Sequence, residues 1–217
     1  MSFAHLFEFL RKLQNNNTKD WMDLHRKEYY AVRDFYIQWL DAMNDRLAGI
    51  DDSYFYTPGK KAINRINNNL LYHPNKPTYK DHFGAGLDQR SKQGDFYIEL
   101  GVNGSSIGGG YWHPSPKILK SLRDAIDYDG ATLVEIIEKK SFHKMFGELV
   151  LDTPLKLAPK GFSVDHKYIK LLKKRSFAAS LSLTESDVLN EDFDNKVITI
   201  YKELLPFRRY LNKAITV

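Results

Sequence analysis

A polar run between Asn75 and His82 contains residue types that can bind an anion and act on it. Two lysines, a tyrosine, an aspartate and a histidine fall within these eight residues, around Pro77. Lysines supply positive charge, a tyrosine hydroxyl can donate a hydrogen bond, and Asp81 or His82 offers a general base. The alternative is an ordinary polar turn anchored by Tyr79, because loops are polar by default.

Two arginines and a glycine run elsewhere in the chain can add to such a site. Guanidinium groups bind oxyanions through paired hydrogen bonds, and backbone N–H groups at glycines can approach a phosphate. The glycine run lacks the spacing of a dinucleotide-binding motif, and a β-bulge or a close backbone crossing is its alternative explanation. The candidate ligand-binding residues are Arg65, Lys76, Tyr79, Lys80, Gly109, Gly110 and Arg123.

The sequence lacks the residues that several other kinds of chemistry require. The chain has no cysteine, which excludes disulfides, thiol catalysis and cysteine-ligated metals. Its seven histidines form no helical metal-binding pair, and neither a P-loop lysine nor a nucleophile elbow is present. We therefore expect no metal and no cofactor, and the sequence leaves enzymatic activity open.

The surplus of positive charge lies in one segment. The chain has 32 Lys and Arg against 27 Asp and Glu, and residues 156–175 contain seven basic residues and one acidic residue. A helix starting at Ser163 or Asp165 would carry a lysine face, with Tyr168 or Trp112 as a stacking surface for nucleic acid. A solvated helix face is the alternative. The candidate basic-surface residues are Lys167, Lys170, Lys173 and Lys174.

The first 50 residues predict two helices. Ser2 can cap a short helix that ends near Leu13, and Asn17 or Thr18 begins a long helix that ends near Leu47. Its apolar stripe consists of Trp21, Leu24, Val32, Phe35, Trp39, Leu40, Met43 and Leu47. We expect both tryptophans of this stripe to lie in the core.

The middle of the chain predicts an antiparallel sheet. Its strongest signal is a hairpin with the turn Asn103-Gly104, since both residue types tolerate positive φ. The predicted strands cover residues 62–66, 96–102, 105–111 and 176–183, with residues 51–95 otherwise loop-rich. Helices are predicted after Ser115-Pro116, after a capping box of Thr132 and Glu135, and from Asp192, with Pro206 breaking or kinking the last.

These elements predict a single α+β domain over residues 1–217. It comprises N-terminal helices (1–50), a mixed sheet and helices (51–183) and C-terminal helices (184–217). The composition, 42% hydrophobic and 13% aromatic, suffices for a packed core. No apolar run reaches membrane-spanning length, and Glu8 interrupts the N-terminal apolar stretch, so we expect a cytoplasmic protein without a signal peptide or a membrane partner. The oligomeric state is left open.

Five short motifs are spread over nearly the whole chain. They are Phe9-Leu10-x-x-Leu13-x-x-Asn16-Asn17-x-x-x-Trp21, Phe96-Tyr97-Ile98-Glu99, Gly109-Gly110-Tyr111-Trp112-x-Pro114, Leu119-x-x-Leu122-Arg123-x-x-Ile126 and Leu155-Lys156-x-x-Pro159-Lys160-Gly161-Phe162. In this order and spacing they resemble a family of bacterial proteins known as domain of unknown function 2461. The resemblance implies no particular activity.

The signature of that family is an arginine-rich run, Arg-x-x-Arg-Asp-x-Arg-Phe, followed by Asp or Asn with Lys and then by Tyr-Lys. The chain matches it at Arg65, Asn75, Lys76, Tyr79 and Lys80. It departs from it at Asn68 and Asn69 in place of Arg-Asp, at Leu71 in place of the third arginine, and at Tyr72 in place of Phe. Two guanidinium groups are therefore missing, and the resemblance implies a weakened or repurposed site.

Three hypotheses follow for the function. The first is a site for a small anionic or phosphorylated ligand, with or without catalysis. The second is a weak nucleic-acid-binding module that uses residues 156–175. The third is an interaction or accessory protein in which the polar motif is only structural.

Overall fold

The computed structural model describes residues 1–150 and 152–216. The helices of this part are α1 (Phe3–Asn15), α2 (Lys19–Leu24), α3 (Arg26–Ala48), α4 (Gly59–Ala62), α5 (Pro116–Glu138), α6 (Lys140–Phe146), α7 (Ile169–Leu172), α8 (Glu185–Leu189) and α9 (Phe193–Lys213). The strands are β1 (His82–Leu87), β2 (Phe96–Gly101), β3 (Ser105–Tyr111) and β4 (Phe177–Leu183). They form one antiparallel sheet in the order β1-β2-β3-β4. The predicted α+β class is confirmed, and among the described helices none is long and apolar enough to cross a bilayer.

The chain divides into two compact units. The first contains Met1–Gln89, Tyr97–Ile107 and Ser182–Ile198, and the second contains Arg90–Phe96, Gly108–Leu181 and Thr199–Val217. The division falls within β2, β3, β4 and α9, so each of these elements contributes residues to both units. The predicted single-domain boundaries stay a prediction.

The predicted long N-terminal helix is interrupted at His25. Thr18 begins α2 as expected, since its side chain accepts a hydrogen bond from the Trp21 N–H. At His25 the backbone leaves the helical conformation, and the ring Nδ1 lies 2.8 Å from the Trp21 carbonyl oxygen. A side chain that engages a helical carbonyl is a recognised cause of helix breaks. Because of this break Leu24, predicted on the apolar stripe, is 84% exposed.

The two tryptophans of the predicted stripe are half-buried rather than enclosed. Trp39 stacks on Phe193, with ring centroids 5.6 Å apart, and its indole N–H donates to Asp194. Trp21 stacks on His25 with centroids 3.9 Å apart. Both indoles therefore belong to aromatic clusters of the first unit, and each keeps part of its surface exposed.

The predicted strand at 62–66 is wrong. Its start belongs to α4, and Ile63 only forms an isolated bridge with Ala85. The strand of this region is β1, which sequence analysis missed because two glycines and an almost continuously buried run give it no alternating pattern. The α4 helix packs beside β1 and lies in the same unit.

The hairpin and the last predicted strand are confirmed. Strands β2 and β3 are joined by residues 102–104, and the Gly104 N–H donates to the Gly101 carbonyl. Gly104 has φ +134°, whereas Asn103 has a negative φ. Only Gly104 therefore adopts the positive φ that both residue types tolerate. Strand β4 begins one residue later than predicted.

The helices of the second half begin largely where predicted and extend beyond their predicted ends. Ser115 caps α5 by accepting from the Ile118 N–H. The break inside α5 lies at Asp129, which accepts a hydrogen bond from the Thr132 hydroxyl, so Thr132 is not itself the cap. Pro206 does not break α9. The residues buried around it are Leu204, Phe207 and Leu211, and burial of ~1.5–3 kcal/mol per such side chain offsets one missing hydrogen bond.

The predicted basic helix is wrong in extent. Only Ile169–Leu172 is α-helical, and residues 160–168 are turns, with Gly161 at φ +94°. One helical turn cannot form the predicted continuous lysine face. Lys167 and Lys170 are exposed, whereas Lys173 and Lys174 are half-buried. The role of these four lysines as a basic surface stays a prediction.

Candidate functional site

The first unit contains a pocket of about 470 Å³. Its lining combines amide side chains with two lysines, one aspartate and one histidine. The lining residues are Gln14, Asn17, Asn68, Lys76, Pro77, Tyr79, Lys80, Asp81, His82 and Asn103. A pocket of this size accommodates a small metabolite. It includes most of the run from Asn75 to His82 and so places the predicted polar motif in a concave site.

Tyr79 holds the run in place. It is buried and forms an isolated antiparallel bridge with Asn67. The Asn17 side-chain amide donates to the Tyr79 carbonyl (2.9 Å) and accepts from the Tyr79 N–H (2.8 Å). This pairing connects the start of α2 to the lysine-bearing segment. These contacts fix the position of Tyr79, which is one of the residues that line the pocket.

Asn68 closes the loop that precedes the lysines. Its side chain donates to the Pro77 carbonyl (2.9 Å), and its backbone N–H donates to Thr78 (3.0 Å). The loop therefore has fixed ends that both line the pocket. Its tip exposes Leu71 and Tyr72, with 84% and 74% of their surfaces accessible. Neither of these tip residues lines the pocket.

Lys80 has a distinct electrostatic environment. Its ammonium donates to the Arg65 carbonyl at 2.8 Å. Burial lowers the pKa of Lys80 and the charge of Arg65 lowers it further; Glu99 opposes this in part, and the charge of Lys76 makes the smallest contribution, which also lowers the pKa. Within the described ranges none of these three basic side chains forms an ion pair. Positive charge without an acidic partner favours an anion at this position.

A second group of side chains can move protons at the pocket wall. The His82 Nδ1 lies 3.1 Å from Asp81 Oδ1, and its Nε2 lies 3.5 Å from Glu99 Oε2. The Asn103 amide donates to the other oxygen of Asp81. Because each ring nitrogen faces a carboxylate, His82 can exchange a proton with either one. No group of three metal-binding side chains was found among the described residues.

Arg123 lies in the second unit and contacts the backbone. Its Nε donates to the Leu172 carbonyl (2.8 Å), and one terminal nitrogen donates to the Lys174 carbonyl (3.2 Å). Burial and the nearby charge of Arg175 lower the pKa of Arg123. These contacts satisfy carbonyls at the end of α7, which is a structural role. A ligand-binding role for Arg123 stays a prediction.

The glycine run also lies in the second unit, within β3, and is closely packed. A Cβ on Gly110 would lie 2.2 Å from the Phe177 carbonyl oxygen, and the residue has φ +116°. A Cβ on Gly109 would lie 2.7 Å from the Arg208 side chain. These distances match the alternative of a close backbone crossing. Neither glycine lines the pocket of the first unit.

A family model described as "Conserved hypothetical protein (DUF2461)" matches residues 5–210. The chain belongs to the DUF2461 family. No curated protein and no solved structure matches it. In this member of DUF2461, three of the retained signature residues, Lys76, Tyr79 and Lys80, line the pocket. Arg65 adjoins them through its carbonyl contact with Lys80.

Sequence analysis did not identify several side chains in or next to the pocket as site residues. Asn103 was recognised only as a turn residue, Asn17 as a cap residue and part of a family motif, and Glu99 only as part of a family motif. Each lies far along the chain from the residue that it contacts, since Asn17 and Tyr79 are 62 positions apart. Only the resemblance to DUF2461, which includes both Asn17 and Glu99, carried a signal for these positions.

Proposed function

We propose that this protein binds a small anionic ligand, of the size of a phosphorylated metabolite, in the pocket beside Lys76 and Lys80. The observation that carries the proposal is that Lys76 and Lys80 line one pocket, with Arg65 next to Lys80, and that none of the three has an ion-pair partner in the described chain. The positive charges that lower the pKa of Lys80 would also stabilise a bound phosphate or carboxylate.

The polar lining supports a ligand that carries hydroxyl groups as well as charge. Asp81, His82 and Asn103 offer acceptors and donors along one wall. Asp81 brings a negative charge to that wall, but one hydrogen bond from Asn103 and a contact with His82 engage its two oxygens. An anion would therefore bind at the lysines, and its neutral polar groups would face Asp81.

A thermal-shift screen tests the proposal. The probes are inorganic phosphate, glycerol 3-phosphate, a hexose phosphate and a short oligonucleotide. A ligand at 100 times its dissociation constant adds ~2.7 kcal/mol, which raises the Tm of a chain of this size by ~5–10 °C. We expect Lys76→Met and Lys80→Met to reduce this shift, whereas Lys27→Met, on an exposed lysine of α3, should retain it.

The other results of the screen favour the other two hypotheses. Stabilisation by the oligonucleotide alone, lost on replacing Lys167 and Lys170, would favour a nucleic-acid-binding module. Stabilisation by none of the probes would contradict the proposal and favour an accessory protein whose polar motif is structural.

A further inference from the structure

Lys80 combines three properties of a reactive lysine. Its side chain lines the pocket and is partly buried. The Lys80 nitrogen donates one hydrogen bond to the Arg65 carbonyl, which orients it. Because this acceptor is uncharged, the bond does not neutralise the positive charge of the lysine. No carboxylate pairs with it in the described part of the chain. Lysines that act as nucleophiles are activated by burial or by a neighbouring cation, and both conditions hold here.

Lys76 provides the matching exposed amine. It lines the same pocket but is exposed, whereas Lys80 is partly buried. The two lysines therefore differ in environment although they are only four residues apart. Lys76 suits the binding of an anionic group as a point charge, and Lys80 suits reaction with a second group of the same ligand.

We propose that Lys80 forms an imine with an aldehyde or ketone group of the bound anion. The inference rests on the proposed function and narrows its ligand to an anion that carries a carbonyl group, such as a phosphorylated aldehyde or ketone.

The step balances without an oxidant or a reductant. The neutral Lys80 Nζ attacks the carbonyl carbon, a carbon–nitrogen bond forms, and the carbonyl oxygen takes up a proton. The bond between carbon and this oxygen then breaks, and the oxygen leaves as one molecule of water together with the remaining proton of the nitrogen. A carbon–nitrogen double bond, the imine, is left. His82, beside Asp81 in the same wall, can supply and remove the protons of these steps.

Reductive trapping tests the inference. The full chain is incubated at neutral pH with glyceraldehyde 3-phosphate and sodium cyanoborohydride, which reduces an imine to a stable secondary amine. Peptide mass mapping then locates the adduct. We expect Lys80 to be labelled about tenfold faster than the exposed Lys27, because binding raises the local concentration of the aldehyde. Excess glycerol 3-phosphate, which has no carbonyl group, should protect Lys80 by occupying the pocket.

Wild type itself separates this inference from the proposed function, because binding of glycerol 3-phosphate and labelling of Lys80 are measured independently. Lys80→Arg, which cannot form an imine, serves as the control for the adduct and should lose the label at position 80. If wild type binds glycerol 3-phosphate but Lys80 is labelled no faster than Lys27, the imine is excluded and anion binding stands. If glycerol 3-phosphate neither stabilises wild type nor protects Lys80, both proposals fail. Should Lys80→Arg fold poorly, the protection experiment on wild type still decides the question.

Discussion

Asn17 and Tyr79 form a reciprocal pair in which one side-chain amide satisfies both backbone groups of the other residue. The amide donates to the Tyr79 carbonyl at 2.9 Å and accepts from its N–H at 2.8 Å. The bridge with Asn67 is formed by backbone groups of the flanking residues Thr78 and Lys80, so a side chain supplies the partners of the Tyr79 N–H and carbonyl. The pair connects the N-terminal helices to the pocket.

Replacing Asn17 with Ala should therefore weaken ligand binding in the pocket and also lower the stability of the fold. Two partly buried backbone groups would lose their partner, at a cost of ~1–3 kcal/mol in the free energy of unfolding. Urea denaturation measures this cost, and the thermal-shift screen measures the expected weakening of phosphate binding. Asn15→Ala, on an exposed residue at the end of α1, is the control. Equal stabilities of the two variants would contradict the positioning role of Asn17.

Arg123 should behave as a structural residue. Arg123→Ala leaves the carbonyls of Leu172 and Lys174 without their donor, and we expect a loss of ~1–3 kcal/mol in the free energy of unfolding. Stabilisation by phosphate should be unchanged. A variant with normal stability and lost phosphate binding would instead assign Arg123 to the ligand site.

The glycines of β3 should be required for packing. Gly110→Ala combines a positive φ with a contact of 2.2 Å to the Phe177 carbonyl oxygen, and we expect a destabilisation of about 2–4 kcal/mol. Gly104→Ala is the matched control, because Gly104 also has positive φ but open space around its Cβ position. Its cost should be limited to backbone strain of about 1–2 kcal/mol. Thermal unfolding of both variants compares these values.

Restoring the family signature tests whether its loss weakened the site. Asn68→Arg, Asn69→Asp and Leu71→Arg together add one positive charge to the loop before Lys76, and we expect tighter binding of inorganic phosphate. Leu24→Arg is the control for charge alone, since Leu24 and Leu71 are both 84% exposed. The Asn68 contact with Pro77 is lost in the triple variant, so its unfolding free energy should be measured alongside. Equally strong phosphate binding by wild type would show that the altered signature did not weaken the site.

Asp187 should contribute fully to stability above about pH 4 and progressively less below it. A hydrogen bond from Lys196, and others from Thr184, hold the pKa of Asp187 well below its usual range. A carboxyl group whose pKa is lower in the folded state stabilises above its unfolded pKa of about 3.9, and this contribution disappears as the pH falls through the folded pKa. Asp187→Asn should therefore lower the Tm at pH 7, by up to ~4 °C because the pair is partly exposed to solvent, and by less near pH 3. This prediction would be contradicted if the Tm difference between Asp187→Asn and wild type did not shrink in acid, or if Asp52→Asn showed an equal difference.

Local signals in the sequence determined much of the secondary structure. The cap at Thr18, the Ser115-Pro116 start of α5 and the Gly104 turn each depend on residues within a few positions, so their chemistry can be read without a fold. The α+β class was predicted from these elements and the membership in DUF2461 from a resemblance to that family, and both are confirmed. The interruption at His25 was missed because it depends on where one side chain points.

The tertiary structure alone decided where the pocket lies and which residues share it. Strand β1 has no alternating pattern because it is almost fully buried, and burial is a property of its neighbours. Likewise Arg65, Lys76 and Lys80 were predicted as one group with Arg123, yet Arg123 satisfies carbonyls in the second unit. Hydrogen bonds such as that between Asn17 and Tyr79 join positions 62 residues apart, and sequence order does not specify which distant polar groups will meet. The folded chain brings them together because buried backbone groups must find partners.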